Sequence, residues 1–149
     1  ARQLKSVTGF VERALASGAK IELGGKALDR EGYFMPPTVL SNVHQQMEIV
    51  QEEVFGPVLV CQRFEDVNEV IELANNSKYG LAASVWTENF SMAHRISDQI
   101  RAGTVWINCH YMFDPSLPIG GMKQSGWGRD NGMQALDNYL EIKTVCAVV

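Results

Sequence analysis

The spacing of apolar side chains changes several times along the chain, and each change marks an element. Leu4, Val7, Val11 and Leu15 recur at helical spacing and Gly18 follows as a stop, which predicts an amphipathic helix. That pattern is already under way at residue 1, so the chain is expected to begin in mid-structure. Residues 21–23 read as a short strand and residues 24–32 as a polar turn region. Residues 33–40 read as extended, because Pro36 and Pro37 forbid a helix there. Residues 58–64 are apolar and β-rich; Asp66, with Glu69 three residues on, then has the form of a capping box for a helix carrying Val67, Val70, Ile71 and Ala74 on one face. Gly80 separates that helix from a second strand at residues 81–86. Phe90, Ala93, His94, Ile96 and Ile100 predict a further helix, which Gly103 ends before a strand at residues 104–108. Strands alternating with helices of this length need crossover connections, so the reading is an α/β fold with a parallel β-α-β-α-β sheet covered by helices.

Beyond residue 108 the periodicity stops. Residues 109–131 form one long irregular segment that includes Gly120, Gly121, Gly126 and Gly128. It leaves the carboxyl end of the last strand, where open parallel sheets place their ligand crevices. A short helix is predicted over residues 133–139 and a terminal strand over residues 142–149. That strand is β-branched and weakly charged, so its edge needs a partner, either in the same subunit or in a second one.

Composition then removes several classes of function. Hydrophobic residues make up 46% of the 149 and charged residues 20%, a balance that excludes a disordered chain. A formal net charge of -4, with the Lys and Arg scattered, leaves no electrostatic footprint for nucleic acid. Apolar runs such as residues 58–61 fall far short of the ~20 residues of a membrane-spanning helix. Arg2, Lys5, Glu12 and Arg13 interrupt the first eighteen residues, so no signal peptide is read there. Neither a nucleic-acid nor a membrane partner is expected. Cys61, Cys109 and Cys146 are odd in number and far apart, and read as buried free thiols of a reducing compartment, the cytoplasm. His44, His94 and His110 are equally dispersed, and no metal site is expected.

Three segments carry candidate chemistry. In residues 51–57, Gln-Glu-Glu-Val-Phe-Gly-Pro, adjacent side chains of an extended chain point to opposite sides, so Glu52 and Glu53 are not expected to share a site. That disfavours a glycosidase-like pair. One inward carboxylate, which only accepts hydrogen bonds, suits the paired hydroxyls of a ribose, whereas a solvated loop is the plainer alternative. The second segment, residues 117–129, fails as a phosphate cradle: Gln124 follows Lys123 where a P-loop needs Ser or Thr, and Asn131 stands where a dinucleotide fingerprint needs its third glycine. Its glycines are read instead as permitting backbones to cross closely. The third segment is the terminal strand.

Together with Ala-Asn-Asn-Ser-Lys-Tyr-Gly-Leu-Ala-Ala at 74–83 and Ala-Gly-Thr-Val-Trp-Ile-Asn at 102–108, these strings resemble the aldehyde dehydrogenase superfamily, in the family's order and over essentially the whole chain. The resemblance implies the carboxy-terminal part of the catalytic domain over residues 1–138 and an oligomerisation strand over residues 139–149, hence a homodimer or homotetramer. It implies oxidation of an aldehyde to its carboxylic acid with NAD or NADP. In that reaction a cysteine thiolate attacks the aldehyde, hydride passes to the nicotinamide, and water activated by a glutamate releases the acid. Family members carry the cysteine, the glutamate, the oxyanion asparagine and the Rossmann domain well before the Glu-Glu-x-Phe-Gly-Pro string, so no catalytic residue is assigned here, Cys109 included. Glu53 matches the glutamate that holds the nicotinamide ribose, Phe55 the aromatic beside the nicotinamide ring, and Gln3 a glutamine near the cofactor. Tyr111, Phe113 and Ile119 match the mouth of the aldehyde tunnel, and many relatives carry Phe where Ile119 stands. Residues 108–114 and 127–130 look most like members acting on phenylacetaldehyde and related aldehydes. The choice between NAD and NADP belongs to the Rossmann domain, which reads the adenosine ribose. The alternative is a non-catalytic module that keeps the fold for assembly or ligand binding.

Overall fold

The computed structural model describes residues 1–149, which divide into two compact units, Ala1–Asp66 and Val67–Val149. In the first, helix α1 (Arg2–Ala16) is followed by strands β1 (Lys20–Leu23) and β2 (Thr38–Ser41), a single helical turn α2 (Glu48–Gln51) and strand β3 (Val58–Val60). Helix α1 ends where the pattern predicts: Gly18 takes φ +100°, a conformation that costs glycine little, and its amide donates to the Leu15 carbonyl at 3.0 Å. The face it buries is Val7, Val11 and Ala14, while Leu15 at its end stays exposed. Phe10 and Ala14 meet Leu40, Met47 and Ile49, with Val58 and Val60 packed alongside. Burying each such large aliphatic side chain contributes roughly 1.5–3 kcal/mol.

Strand β2 is the centre of its sheet, antiparallel to β1 and parallel to β3. Leu40 is 0% exposed, making this the most deeply buried strand of the unit. The prolines at 36 and 37 lie just before it, so they cost none of its ladder bonds, and the buried Thr38 hydroxyl donates to the Pro36 carbonyl at 3.0 Å.

In the second unit, helix α3 (Val67–Asn75), strands β4 (Tyr79–Gly80) and β5 (Ala82–Val85), helix α4 (Phe90–Gln99) and strands β6 (Thr104–Ile107) and β7 (Met122–Lys123) precede a 3-10 helix at Met133–Asn138. Asn89 caps α4, its side chain accepting from the Met92 amide at 3.0 Å. Strands β5 and β6 are parallel and joined through α4, giving one β-α-β crossover. Val85, Val105 and Ile107 pack with Ile71, Ala93 and Ile96 of the helices. The α/β class is as the sequence predicts, but one continuous β-α-β-α-β sheet is not what the hydrogen bonds make. Strand β3 pairs with β2, and β5 with β6, in separate sheets.

Three other expectations need correcting. Residues 142–149 make no strand within this chain: nothing in it offers them a ladder, and they are exposed throughout. The helix predicted over 133–139 is of the tighter 3-10 kind and buries none of its residues. Cys61 and Cys146 are exposed and Cys109 is half-buried, so the thiols are free but not core residues.

Candidate functional site

Two hollows, one in each unit, contain all of the residues singled out by sequence except Gln3. In the first unit, Glu52, Glu53, Val54, Phe55 and Gly56 line a hollow of about 300 Å³ with residues of α2 and β3. Glu52 and Glu53 share it, contrary to expectation. The pair belongs to no strand: Glu52 is extended but follows directly on α2, and β3 begins only at Val58, so no ladder holds the two side chains to opposite faces. Glu52 is half-buried and Glu53 exposed, so the inward-turned carboxylate expected at 53 is not seen in its burial.

The loop itself is tightly held. Phe55 adopts φ 51°, a left-handed backbone that non-glycine residues enter at a cost, yet the residue is 76% exposed. Gln3 on α1 donates its side-chain amide to the Phe55 carbonyl at 2.8 Å. Gly56 lies against α1 so closely that a Cβ there would come within 2.6 Å of a Val7 methyl. From the other side, Arg13 grips Glu48 of α2 with two donors, at 2.6 and 3.1 Å. The hydrogen bond to the Glu48 carboxylate raises the Arg13 pKa, and the guanidinium in turn holds the Glu48 carboxyl below its ordinary range. Gln3 thus acts on the loop's backbone, and Arg13 and Glu48, which sequence reasoning passed over, brace the turn that feeds it. Arg13 and Glu48 lie 35 residues apart, and no local pattern marks such a pair.

In the second unit, Tyr111, Phe113 and Ile119 come together in a hollow of about 390 Å³. Its floor is one face of the β5–β6 pair. Ala82 and Thr104 are register partners, as are Ser84 and Trp106, so these four side chains share a face while Ala83 and Val105 take the other. Trp106 donates its indole N–H to the Met112 carbonyl at 2.8 Å and meets Phe113 edge-on at 5.5 Å. Phe113 in turn meets Tyr111 edge-on at 4.5 Å. Asn108 and Tyr111 take positive φ (53° and 59°), which turns the chain back over its own strand. His110, which sequence reasoning left among dispersed histidines, also lines the hollow; its Nδ1 lies 2.7 Å from the Ser84 hydroxyl. No local pattern marks it, because β6 ends at Ile107 and Asn108 turns the chain before His110 is reached.

The glycine-rich segment holds backbones together, as its reading predicts. A Cβ on Gly103 would fall 1.6 Å from the Gly120 carbonyl oxygen, and one on Gly80 would fall 2.6 Å from that of Arg101. Lys123 donates to the carbonyls of Asn75 and Ser77 at 2.9 and 3.1 Å, and the Gly80 amide donates to the Ser125 hydroxyl at 2.9 Å. Asn75 adds two more ties, donating to the Gln99 carbonyl and accepting from the Arg101 amide. The two strings at 74–83 and 120–126 are therefore halves of one clasp. No group of three or more His, Cys, Asp or Glu is placed to hold a metal ion.

A model of the aldehyde dehydrogenase family matches residues 1–145. The chain belongs to the aldehyde dehydrogenase family. It is 48% identical over 144 residues to a mitochondrial aldehyde dehydrogenase, family 2 member B4, of Arabidopsis thaliana, covering 97% of this chain and 27% of that protein. To the mitochondrial benzaldehyde dehydrogenase of Antirrhinum majus it is 46% identical over 145 residues, with 97% and 27% covered. The solved NAD+ complex of a Bacillus cereus aldehyde dehydrogenase superposes with a TM-score of 0.92 at 47% identity, covering 97% of this chain and 29% of that one. This aldehyde dehydrogenase chain thus spans under a third of the length of these relatives. No helix in it is long and apolar enough to cross a membrane.

Proposed function

We propose that the protein to which these residues belong oxidises an aromatic aldehyde, of the phenylacetaldehyde kind, to its carboxylic acid with NAD or NADP. The observation that carries the substrate side is the meeting of Tyr111, Phe113 and Ile119 over Trp106 in one hollow. Stacked edge-on rings with aliphatic neighbours bury a flat apolar group well and give a charged one no acid, lysine or arginine as partner. The benzaldehyde dehydrogenase among the relatives supports the same class.

On the cofactor side, Glu53 and Phe55 fit the nicotinamide half of NAD(P). An exposed carboxylate beside an exposed ring offers two acceptors to ribose hydroxyls and a flat surface to the nicotinamide. When bound, the nicotinamide supplies the hydride acceptor. The residues of this chain orient it: Gln3 fixes the Phe55 backbone, Gly56 lets the loop sit against α1, and the Arg13–Glu48 pair steadies α2. Such placement contributes much of the rate of a hydride transfer, because a small misalignment separates donor and acceptor. The NAD+ complex of the Bacillus cereus relative supports NAD as the cofactor. The reactive cysteine and the general-base glutamate are supplied from outside these 149 residues, and Cys109 has no part in the chemistry.

Residues 139–149 serve as an oligomerisation strand. They find no partner strand within the chain and leave Ile142, Val145 and Val148 exposed, which a neighbouring subunit's sheet would cover. Free thiols at 61, 109 and 146 are in keeping with a reducing, cytoplasmic setting.

The test is a panel of aldehydes on the full-length enzyme, followed by reduced-cofactor absorbance. Phenylacetaldehyde and benzaldehyde are expected to exceed acetaldehyde and betaine aldehyde in kcat/KM. Preference for the cationic aldehyde overturns the substrate class, and no turnover with any aldehyde favours the non-catalytic module.

A further inference from the structure

We propose that His110 is a specificity-determining residue, held by Ser84 so that it bonds a hydroxyl group on the ring of an aryl aldehyde. This rests on the aldehyde reading of the pocket and narrows it to hydroxylated aromatic substrates.

The imidazole is fixed on two sides. Its Nδ1 meets the Ser84 hydroxyl at 2.7 Å, and the Trp106 indole packs edge-on against it with ring centroids 5.1 Å apart. Ser84 and Trp106 are themselves register partners on β5 and β6, so both contacts come from the rigid sheet rather than from the loop. Trp106 is further pinned through its bond to the Met112 carbonyl. With Nδ1 engaged, Nε2 is the ring nitrogen left to a ligand, and no protein group bonds it. A second polar group lies in the same wall. The Thr104 hydroxyl behind the floor is buried without a hydrogen-bond partner and out of a ligand's reach, which leaves His110 as the polar group that faces the hollow.

The chemistry of these groups selects the substituent. Leu81, Ala82, Phe113 and Ile119 surround them with carbon, so a polar atom gains only where it meets His110. A carboxylate or an ammonium would enter without a counter-charge and lose its hydration. A neutral hydroxyl both donates and accepts, and so suits Nε2 in either tautomer that the Ser84 contact selects.

The experiment compares kcat/KM for ring-hydroxylated phenylacetaldehyde with that for phenylacetaldehyde in the full-length enzyme, and reads their ratio. His110→Phe is expected to lower the ratio about fivefold, the size of one hydrogen bond exchanged with water. Ser84→Ala is expected to lower it about twofold, with no further effect in the His110→Phe background, and His110→Asn to restore part of it. A purely structural role would reduce both substrates together and leave the ratio unmoved. An unmoved ratio in His110→Phe overturns the assignment of His110 and leaves the aryl-aldehyde reading standing; failure of the wild type to oxidise either aldehyde overturns both. Should His110→Phe not fold, calorimetry of the wild type decides: the hydroxylated phenylacetate product is expected to bind about fivefold tighter than phenylacetate, and equal affinity overturns the proposal.

Discussion

At Phe55 the backbone sits in a region that only the surrounding contacts can hold, and the contacts responsible are few enough to test one at a time. Gln3→Ala removes the 2.8 Å bond to the Phe55 carbonyl from an exposed position. It is expected to raise the KM for the cofactor about three- to tenfold, in keeping with about 1 kcal/mol for one hydrogen bond, with little change in Tm; steady-state kinetics and a thermal melt on the intact enzyme check this. Gly56→Ala acts differently, because its new methyl group would meet Val7 at 2.6 Å. Overpacking of this kind costs roughly 1–3 kcal/mol, which a denaturant titration reads directly. The Arg13–Glu48 pair brings a pH dependence whose direction is fixed. Glu48 is held below its ordinary value of 4.5, so its contribution to stability is complete above that pH and is lost as pH falls through the depressed value. Arg13 is raised further above its ordinary, already high value by Glu48 and stays charged across the same window, adding no slope of its own. Glu48→Gln is therefore expected to lower Tm slightly at neutral pH, less at high salt, and progressively less as pH falls through the depressed Glu48 value, the effect being small because both side chains are exposed.

Between elements, the clasp formed by the strings at 74–83 and 120–126 does what a nucleotide loop would not. Lys123 donates to the Asn75 carbonyl at the end of α3 and to the Ser77 carbonyl just past it. Lys123→Met is expected to destabilise the protein by about 1.5–3 kcal/mol, the range for bonds to a charged group, while leaving cofactor affinity unchanged; a fall in affinity without a fall in stability would contradict the clasp. Gly103 has even less room, with the Gly120 carbonyl 1.6 Å from where its Cβ would stand. How far these elements could be read in advance depended on the range of the interaction that makes them. Helices α1, α3 and α4 were legible because their periodicity is local, and Gly18 announced its own turn. Strand β2 was read only as extended chain, since Pro36 and Pro37 mask a four-residue run whose burial comes from neighbours on both sides. The two-residue strands β4 and β7 carry no pattern at all; they exist because the clasp brings Tyr79 opposite Lys123. Strand partners are likewise a tertiary matter, which is why a single parallel sheet was expected where separate sheets form. The site followed the same rule. Tyr111, Phe113 and Ile119 were named from family strings, whereas Ser84 and His110 meet only through a 26-residue separation that spacing does not reveal.

For the molecule as a whole, the apolar tail makes a claim about assembly. Residues 142–149 are exposed throughout and unpaired within the chain, so truncation after Tyr139 is expected to shift the intact enzyme to smaller species in light scattering. Unchanged assembly would leave those residues without the role given to them. The central claim is that the 51–57 loop presents a carboxylate and an aromatic ring to the nicotinamide half of the cofactor. It is tested most directly by single-turnover hydride transfer in the full-length enzyme carrying Glu53→Gln. Weakening one charged acceptor to a neutral one is expected to slow that step at saturating cofactor by about ten- to a hundredfold, equivalent to about 1.5–3 kcal/mol. A hydride-transfer rate equal to that of the wild type would contradict the account.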